Sequence, residues 1–489
     1  MQSLPEELYT VEQVLELERI VIEDEGTAGI ELMRKAGLAV FELISREYPG
    51  NNLVVFCGAG NNAGDGYVVA RLALECGYHV QVYPLFDPNL LKGYAKIAYQ
   101  EYIHVNGRIL EFHKDLQFQK CIIVDALFGT GLSRDVKGDY TDAIRLINQS
   151  SCYVVSVDIP SGLNANTGKI LGLAVKADWT VSFIALKQGL FTGYAAEYCG
   201  KIVYASLEVK NKVLNKVKNS SKLITSPCIA KRHRCSHKGN NGHVLLIGGD
   251  LGFSGAIRLA AESALRVGAG LVSVATRKSH ASLMNLNRPE LMCHGIESSD
   301  ELTQQIKKAS IIVIGPGLGQ SQWAKELFQK VVQSNKPLVC DADALNILAT
   351  EKTFYDNWVL TPHPGEVSRL LKCSTDTIAA DRFAAVNKLQ KTYGGVAVLK
   401  GSGTLISNGY EITVSTNGNP GMASGGMGDV LAGMIGGLIA QGMSLHDATK
   451  AAVFFHGKAA DLSAQQEGEI GLLASDLFPF IRKLINQCI

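Results

Sequence analysis

Three short stretches set aspartates among glycines where a strand would end. They are Gly58-Ala-Gly-Asn61-Asn62-Ala63-Gly64-Asp65-Gly66, Asp125-Ala-Leu-Phe-Gly129-Thr130-Gly131 and Asp158-Ile-Pro160-Ser161-Gly162. Each closes a continuous apolar run: NLVVFC, KCIIV and CYVVSV. One such stretch alone reads as a tight βα turn. Three in one segment indicate a site at which Asp125, Asp158, Asn62 and Ser161 converge. Two carboxylates, an amide oxygen and a hydroxyl form a hard-oxygen set, able to hold a cation or move a proton. No His cluster accompanies them, which disfavours zinc. The glycines lack G-x-G-x-x-G spacing, so this is not a dehydrogenase fingerprint. Loop 58–66 is expected to feed a helix beginning near Tyr67, whose free N–H groups favour phosphate.

A second set lies in Asn419-Pro-Gly421-Met-Ala-Ser424-Gly425-Gly426-Met427-Gly428-Asp429, ahead of an apolar helix expected over 421–442. A helix N-terminus carries free N–H groups and about half a positive charge, which suits a transferring phosphoryl group. Asp429 stands where a base could take a hydroxyl proton. As a mere helix cap it would not need four preceding glycines. Upstream, Lys400-Gly401-Ser402-Gly403-Thr404 follows the strand VAVLK and offers a phosphate-contacting lysine, though not in Walker order. His363 sits between two prolines in Thr361-Pro-His363-Pro-Gly-Glu366, which fixes its backbone direction. Gly315-Pro-Gly317-Leu-Gly319 and Gly248-Gly249-Asp250, continuing to Gly255-Ala256, complete a glycine-rich rim.

Parallel strands would place all these groups. Apolar runs buried on both faces, alternating with helical stretches such as 67–76 and 140–149, indicate α/β layers. Thr10 with Gln13 forms a capping-box pattern at the head of the first helix. The texture breaks in VKNKVLNKVKNSSKLITSP, and the alternation restarts at Gly242. Two α/β domains follow, over 1–215 and 226–489. The first is read as Rossmann-like with three layers.

Composition bounds the class. The chain has 489 residues, 47 Lys+Arg against 46 Asp+Glu, and 50 glycines. That charge balance argues against nucleic-acid binding, which needs a basic excess. No apolar run is long enough for a membrane span, and the N-terminus has no signal-peptide character. The 11 cysteines show no C-x-x-C pairing, so disulfides and zinc are not expected, and a reduced cytoplasmic setting is the simplest reading.

The motifs are also familiar as a set. GGDLGFSGA, GPGLG, DADALN, TPHPGE, KGSGTLI and NPGMASGGMGD resemble, in order, the ribokinase-like NAD(P)H-hydrate dehydratases. CGAGNNAGDG, VDALFGTGL and VDIPSGL resemble the NAD(P)H-hydrate epimerase domain. Together the resemblance covers nearly the whole chain and is to the bifunctional NAD(P)H-hydrate repair family. One departure is Ala63, where the epimerase loop has Gly; if that position needs positive φ, Ala carries a cost, and a tuned but working loop is expected.

The resemblance implies an isomerase and a lyase acting on NADHX and NADPHX, the hydrated cofactors. The first domain would interconvert the R and S epimers. Its substrate would lie against Asn61, Asn62, Ala63, Gly64 and Asp65, against Gly129, Thr130, Gly131, Leu132, Ser133, Arg134 and Asp135, and against Asp158 as the catalytic carboxylate. Asn62, Asp125 and Ser161 would hold K+. The second domain would dehydrate the S epimer at the expense of ADP, giving AMP and phosphate, with Mg2+ accompanying the nucleotide. Asp429 would be its base. Ala256, Gly317 and His363 would contact the hydrate, and Lys400, Gly401, Ser402, Gly403, Thr404 and Gly428 the nucleotide. A homo-oligomer is expected. Two alternatives stay open: a vitamin-precursor kinase fused to a nucleotide-binding domain, and a non-catalytic first domain.

Overall fold

The computed structural model describes residues 4–50 and 52–487. The chain divides into two compact units between Lys222 and Leu223.

In the first unit the apolar runs become a parallel sheet. Its strands are β1 (Asn52–Cys57), β2 (Val80–Pro84), β3 (Cys121–Ala126), β4 (Tyr153–Val157), β5 (Trp179–Phe183) and β6 (Lys201–Ala205), in spatial order β2-β1-β3-β4-β5-β6. The order reverses between β1 and β3, so the loops after these strands diverge and open a crevice at their carboxyl ends. Successive side chains face opposite layers. Leu53, Val55 and Cys57 pack into one core cluster, and Val54 and Phe56 into another. The first cluster includes α1 (Val11–Glu23), α2 (Gly29–Glu47), α3 (Asn61–Glu75) and α4 (Gly93–His104); the second includes α5 (Asp139–Gln149). Each large aliphatic side chain buried this way contributes about 1.5–3 kcal/mol. Thr10 does cap α1: its Oγ1 accepts from Gln13 N at 3.4 Å while Gln13 Oε1 accepts from Thr10 N at 2.8 Å.

The helix expected near Tyr67 begins six residues earlier, at Asn61. Two glycines inside it serve close packing. A Cβ on Gly64 would lie 2.5 Å from Met33 Sδ, and one on Gly66 would lie 2.6 Å from Ala126 Cβ. Low helix propensity is thus overridden by contacts that only glycine allows. Ala63 lies within this helix, fully buried, and is not among the positive-φ residues, so the anticipated strain does not arise.

Among the described residues the second unit contributes nine strands to one sheet. Its strands are β7 (His243–Ile247), β8 (Leu271–Thr276), β9 (Met292–Gly295), β10 (Ile311–Ile314), β11 (Leu338–Cys340), β12 (Trp358–Leu360), β13 (Val396–Leu399), β14 (Thr404–Ser407) and β15 (Ile412–Ser415). The order is β9-β8-β7-β10-β11-β12-β13-β14-β15, with all neighbours parallel up to β13 and antiparallel beyond. Here the order reverses between β7 and β10. Helices α6 (Ser254–Arg266), α7 (Ala342–Thr350), α8 (Pro364–Leu371), α9 (Arg382–Tyr393), α10 (Met427–Ala440) and α11 (Leu445–Glu467) include the site-bearing ones. The helix expected from Gly421 begins at Met427. Asn419 instead caps a single 3₁₀ turn at 420–422, and Gly426, with φ 92°, breaks the chain direction before α10 starts. Gly433 in α10 approaches α6 so closely that a Cβ would lie 1.9 Å from Ala260 O. Among the described residues no helix is long and apolar enough to cross a membrane.

Candidate functional site

In the first unit the strand ends border a cavity of about 500 Å³. Asn61, Asn62, Asp65, Gly129, Thr130, Gly131, Leu132, Ser133, Arg134 and Asp158 all line it. Ala63 and Gly64 do not, because both are turned into the α3 packing, and Asp135 is exposed outside the cavity. Asp158 leaves β4 in the left-handed region, with φ 66°, a conformation that a non-glycine residue keeps only under tertiary constraint. That constraint is visible. Its N–H donates to Val181 O at 2.8 Å, and its Oδ1 accepts from Phe183 N at 3.2 Å and from Lys187 Nζ. Lys187 is 1% exposed and also donates to Phe183 O at 3.0 Å and Ser182 Oγ at 3.3 Å.

Lys187 and Glu18 line the cavity and carry no motif signal. Glu18 is a polar position on an amphipathic helix, and Lys187 lies 29 residues beyond its partner, so neither leaves a local pattern. Burial pushes the Asp65 carboxyl well above its ordinary range, with Asp158 and Glu18 adding to it and Lys187 opposing. Glu18 is raised by burial and by Asp158.

Of the expected oxygen set, Asn62 lines this cavity, and Asp125 and Ser161 meet each other at the ends of β3 and β4. Asp125 is fully buried, and its Oδ2 accepts from Ser156 Oγ and Ser161 N, both at 2.8 Å. Ser161 Oγ accepts from Phe128 N at 2.8 Å and donates to Phe128 O at 3.2 Å. Gly129 packs against Asn62, where a Cβ would lie 3.3 Å from that of Asn62. Asn62 is buried and its Nδ2 finds no partner. Burial raises the Asp125 carboxyl while its hydrogen bonds pull it down. The unpartnered Nδ2 is a donor and does not itself call for a cation; the Asp125 carboxylate, the Ser161 hydroxyl and the Asn62 Oδ1 are the hard oxygens that a cation such as K+ would need.

In the second unit, Asp429 stands in the first turn of α10, just behind Gly426. The first-turn N–H groups of a helix have no intrahelical acceptor, so those at 427–429 are available to an anion. Burial, then Asp341 and Asp343, raise the Asp429 carboxyl to about 7, with Lys400 opposing. Lys400 reaches from the end of β13 to Asp341 at the end of β11, with Nζ to Oδ1 2.9 Å. Asp341 also accepts from Thr361 Oγ1 at 2.8 Å. A Cβ on Gly428 would lie 3.1 Å from Lys400 Nζ, so the glycine lets the ammonium lie against the helix start. Burial pulls Lys400 down, but Asp341, Glu366 and Asp429 outweigh it and raise it overall.

The 400–404 segment therefore divides. Lys400 points to the aspartates, whereas the loop beyond it is fastened from behind by Arg382. That guanidinium is 6% exposed and donates to Leu399 O, Lys400 O and Gly403 O at 3.2–3.4 Å. Arg382 opens α9, away from every motif, and carries no local sequence signal. Gly317 and Ala256 are brought together across the crevice: a Cβ on Gly317 would lie 3.3 Å from Ala256 Cβ. His363 caps α8, its Nδ1 accepting from Gly365 N at 3.0 Å while Glu366 Oε2 accepts from His363 N at 2.8 Å. Burial and Lys400 lower the imidazole, favouring its neutral form.

A family model described as NAD(P)H-hydrate dehydratase matches residues 244–483, and one described as YjeF-related protein N-terminus matches 29–189. The bifunctional NAD(P)H-hydrate repair enzyme Nnr of Coxiella burnetii is 48% identical over 98% of this chain and 99% of its own. The chain belongs to the bifunctional NAD(P)H-hydrate repair enzymes. The Escherichia coli member is 42% identical over 99% of this chain and 95% of its own. A ribokinase-like superfamily protein from Enterococcus faecalis, 30% identical, superposes with a TM-score of 0.50 over 53% of this chain and 92% of its own. The repair-enzyme family thus accounts for both units, and the second has the ribokinase-like fold.

Proposed function

We propose that this chain restores hydrated nicotinamide cofactors in two reactions, one in each unit. The first unit interconverts the R and S epimers of NADHX and NADPHX. The second dehydrates the S epimer with ADP, giving AMP, phosphate and the reduced cofactor. What carries this reading is that both strand-end sites are intact in a chain that aligns end to end with bifunctional relatives.

In the second unit the chemistry needs a better leaving group. Hydroxide is the base of an acid with pKa about 15.7, whereas phosphate monoester oxygens have a relevant pKa of about 6. Asp429, raised to about 7, is matched to removing the ring hydroxyl's proton near neutrality. The N–H groups at the start of α10 then face the transferring phosphoryl group, and loop 401–404 with Gly428 holds the adenine nucleotide. Lys400 sits between Asp341 and the helix start, where it offsets negative charge from nucleotide and aspartate alike. Ala256, Gly317 and His363 face the hydrate. Mg2+ bound with the nucleotide would neutralise phosphate charge.

In the first unit Asp158 handles the proton, Asn61, Asp65 and residues 129–134 contact the substrate, and K+ sits among Asn62, Asp125 and Ser161. The protein works in the cytoplasm as a homo-oligomer. Two variants separate the sites. Asp429→Ala should abolish dehydration and leave epimerisation intact, and Asp158→Ala should do the converse. Loss of both activities from Asp158→Ala would point to a folding defect, and in a variant that melts like wild type it would defeat the assignment of the reactions to separate units.

A further inference from the structure

Lys187 has no assigned part in the first unit, yet it is the most deeply buried charge facing the cavity. Its ammonium donates to Asp158 Oδ1, Phe183 O and Ser182 Oγ. Phe183 N occupies Oδ1 as well, at 3.2 Å. Among the described residues no donor reaches Asp158 Oδ2. One oxygen is therefore fixed from behind and the other left for substrate. Asp65, 9% exposed, and Glu18 are the other carboxyls lining the cavity, and Arg134 the other cation.

From this geometry we infer that Lys187 is the positioning residue of the epimerase, clamping Oδ1 so that Asp158 Oδ2 takes the substrate's hydroxyl proton, while Asp65 supplies the proton that returns to nitrogen. The inference rests on placing epimerisation in this cavity.

The substrate's chemistry explains why two carboxyls are needed. Water adds to an enamine at the carbon next to nitrogen, so the hydrate is a hemiaminal. Its hydroxyl lies on a carbon bonded to the ring nitrogen. Asp158 Oδ2 removes the hydroxyl proton, and the oxygen pair forms a carbonyl. The carbon–nitrogen bond breaks, its electron pair passes to nitrogen, and nitrogen takes the proton of Asp65. The freed aldehyde turns about its single bond. Nitrogen then attacks the other face, its proton returns to Asp65, and the oxygen regains a proton from Asp158. No oxidant or reductant is consumed, and both carboxyls end as they began.

This arrangement requires Asp65 to hold a proton, and its deep burial, with Asp158 and Glu18 close by, favours the protonated form. Lys187 and Phe183 N supply the other requirement, a fixed Asp158 carboxyl with one oxygen left for the substrate.

Lys187→Met keeps the aliphatic stem and removes the cation. In the full-length protein, with epimers separated by chromatography, kcat for epimerisation should fall about a hundredfold or more. KM should change far less than kcat, because the clamp orients Oδ2 and does not itself hold the substrate. Wild-type kcat, or a KM rise that accounts for the whole loss of kcat/KM, overturns the inference. If Lys187→Met fails to fold by thermal melting, Lys187→Arg replaces it; retaining a donor cation, it should keep most of the wild-type kcat, and a loss of about a hundredfold in a folded Lys187→Arg protein overturns the inference. Asp158→Asn is run in parallel. Turnover retained there defeats the underlying site reading, whereas an inactive Asp158→Asn beside normal Lys187 variants defeats this inference alone.

Discussion

Asp429 allows a quantitative test of the second site. Its carboxyl is held at about 7, first by burial and then by Asp341 and Asp343. Such a base is roughly one-tenth ionised at pH 6 and roughly nine-tenths ionised at pH 8, so a step limited by proton removal should accelerate about tenfold across that span. An aspartate at its ordinary 3.8 would be ionised throughout and give a flat profile. The perturbation is Asp341→Asn. It removes the second-largest cause of the shift and frees Lys400 from its 2.9 Å partner, so the ammonium can turn towards Asp429. Both effects favour the ionised form, so the acid limb should move to lower pH, each unit representing about 1.4 kcal/mol. The assay is single-turnover phosphate release from the S epimer and ADP, which avoids the acid lability of the dihydronicotinamide chromophore. A flat wild-type profile, or a limb that rises in Asp341→Asn, would refute the reasoning.

Three further outcomes follow from the geometry. Arg382→Met should release the three carbonyls of the 399–403 turn and raise KM for ADP, with a smaller effect on KM for the hydrate; equal rises would count against a role in that loop. Gly426→Ala places a Cβ on a residue with φ 92°, which costs about 1–2 kcal/mol and disturbs the N–H groups at the start of α10, so melting temperature and dehydration rate should fall together. K+ should raise the melting temperature of the first unit's transition by mass action, and Asn62→Ala should remove that response while Na+ leaves both proteins unchanged.

How much was readable from sequence differs by feature. Strand ends were legible because buried parallel strands are apolar on both faces and stop abruptly at their polar loops, as at Cys57, Ala126 and Val157. The convergence of Asp125 with Ser161 followed from the same logic and is realised as a 2.8 Å bond. Helix starts at glycine-rich loops differ from the sequence expectation, since tertiary packing begins a helix earlier than propensity favours, as at Asn61, or a φ of 92° delays one that apolar residues favour, as at Gly426. Not every glycine serves a ligand: Gly64, Gly66 and Gly433 let helices and strands approach each other. Lys187, Glu18 and Arg382 were invisible because their partners are distant in sequence or are backbone carbonyls, neither of which leaves a local pattern.

The central claim is that one chain carries both repair activities. The most direct measurement mixes the full-length protein with both NADHX epimers and ADP, and follows dihydronicotinamide absorbance over a time short relative to spontaneous epimerisation. Complete recovery of the reduced cofactor is the predicted result. Recovery that halts once the S epimer is exhausted, or no recovery at all, would contradict it.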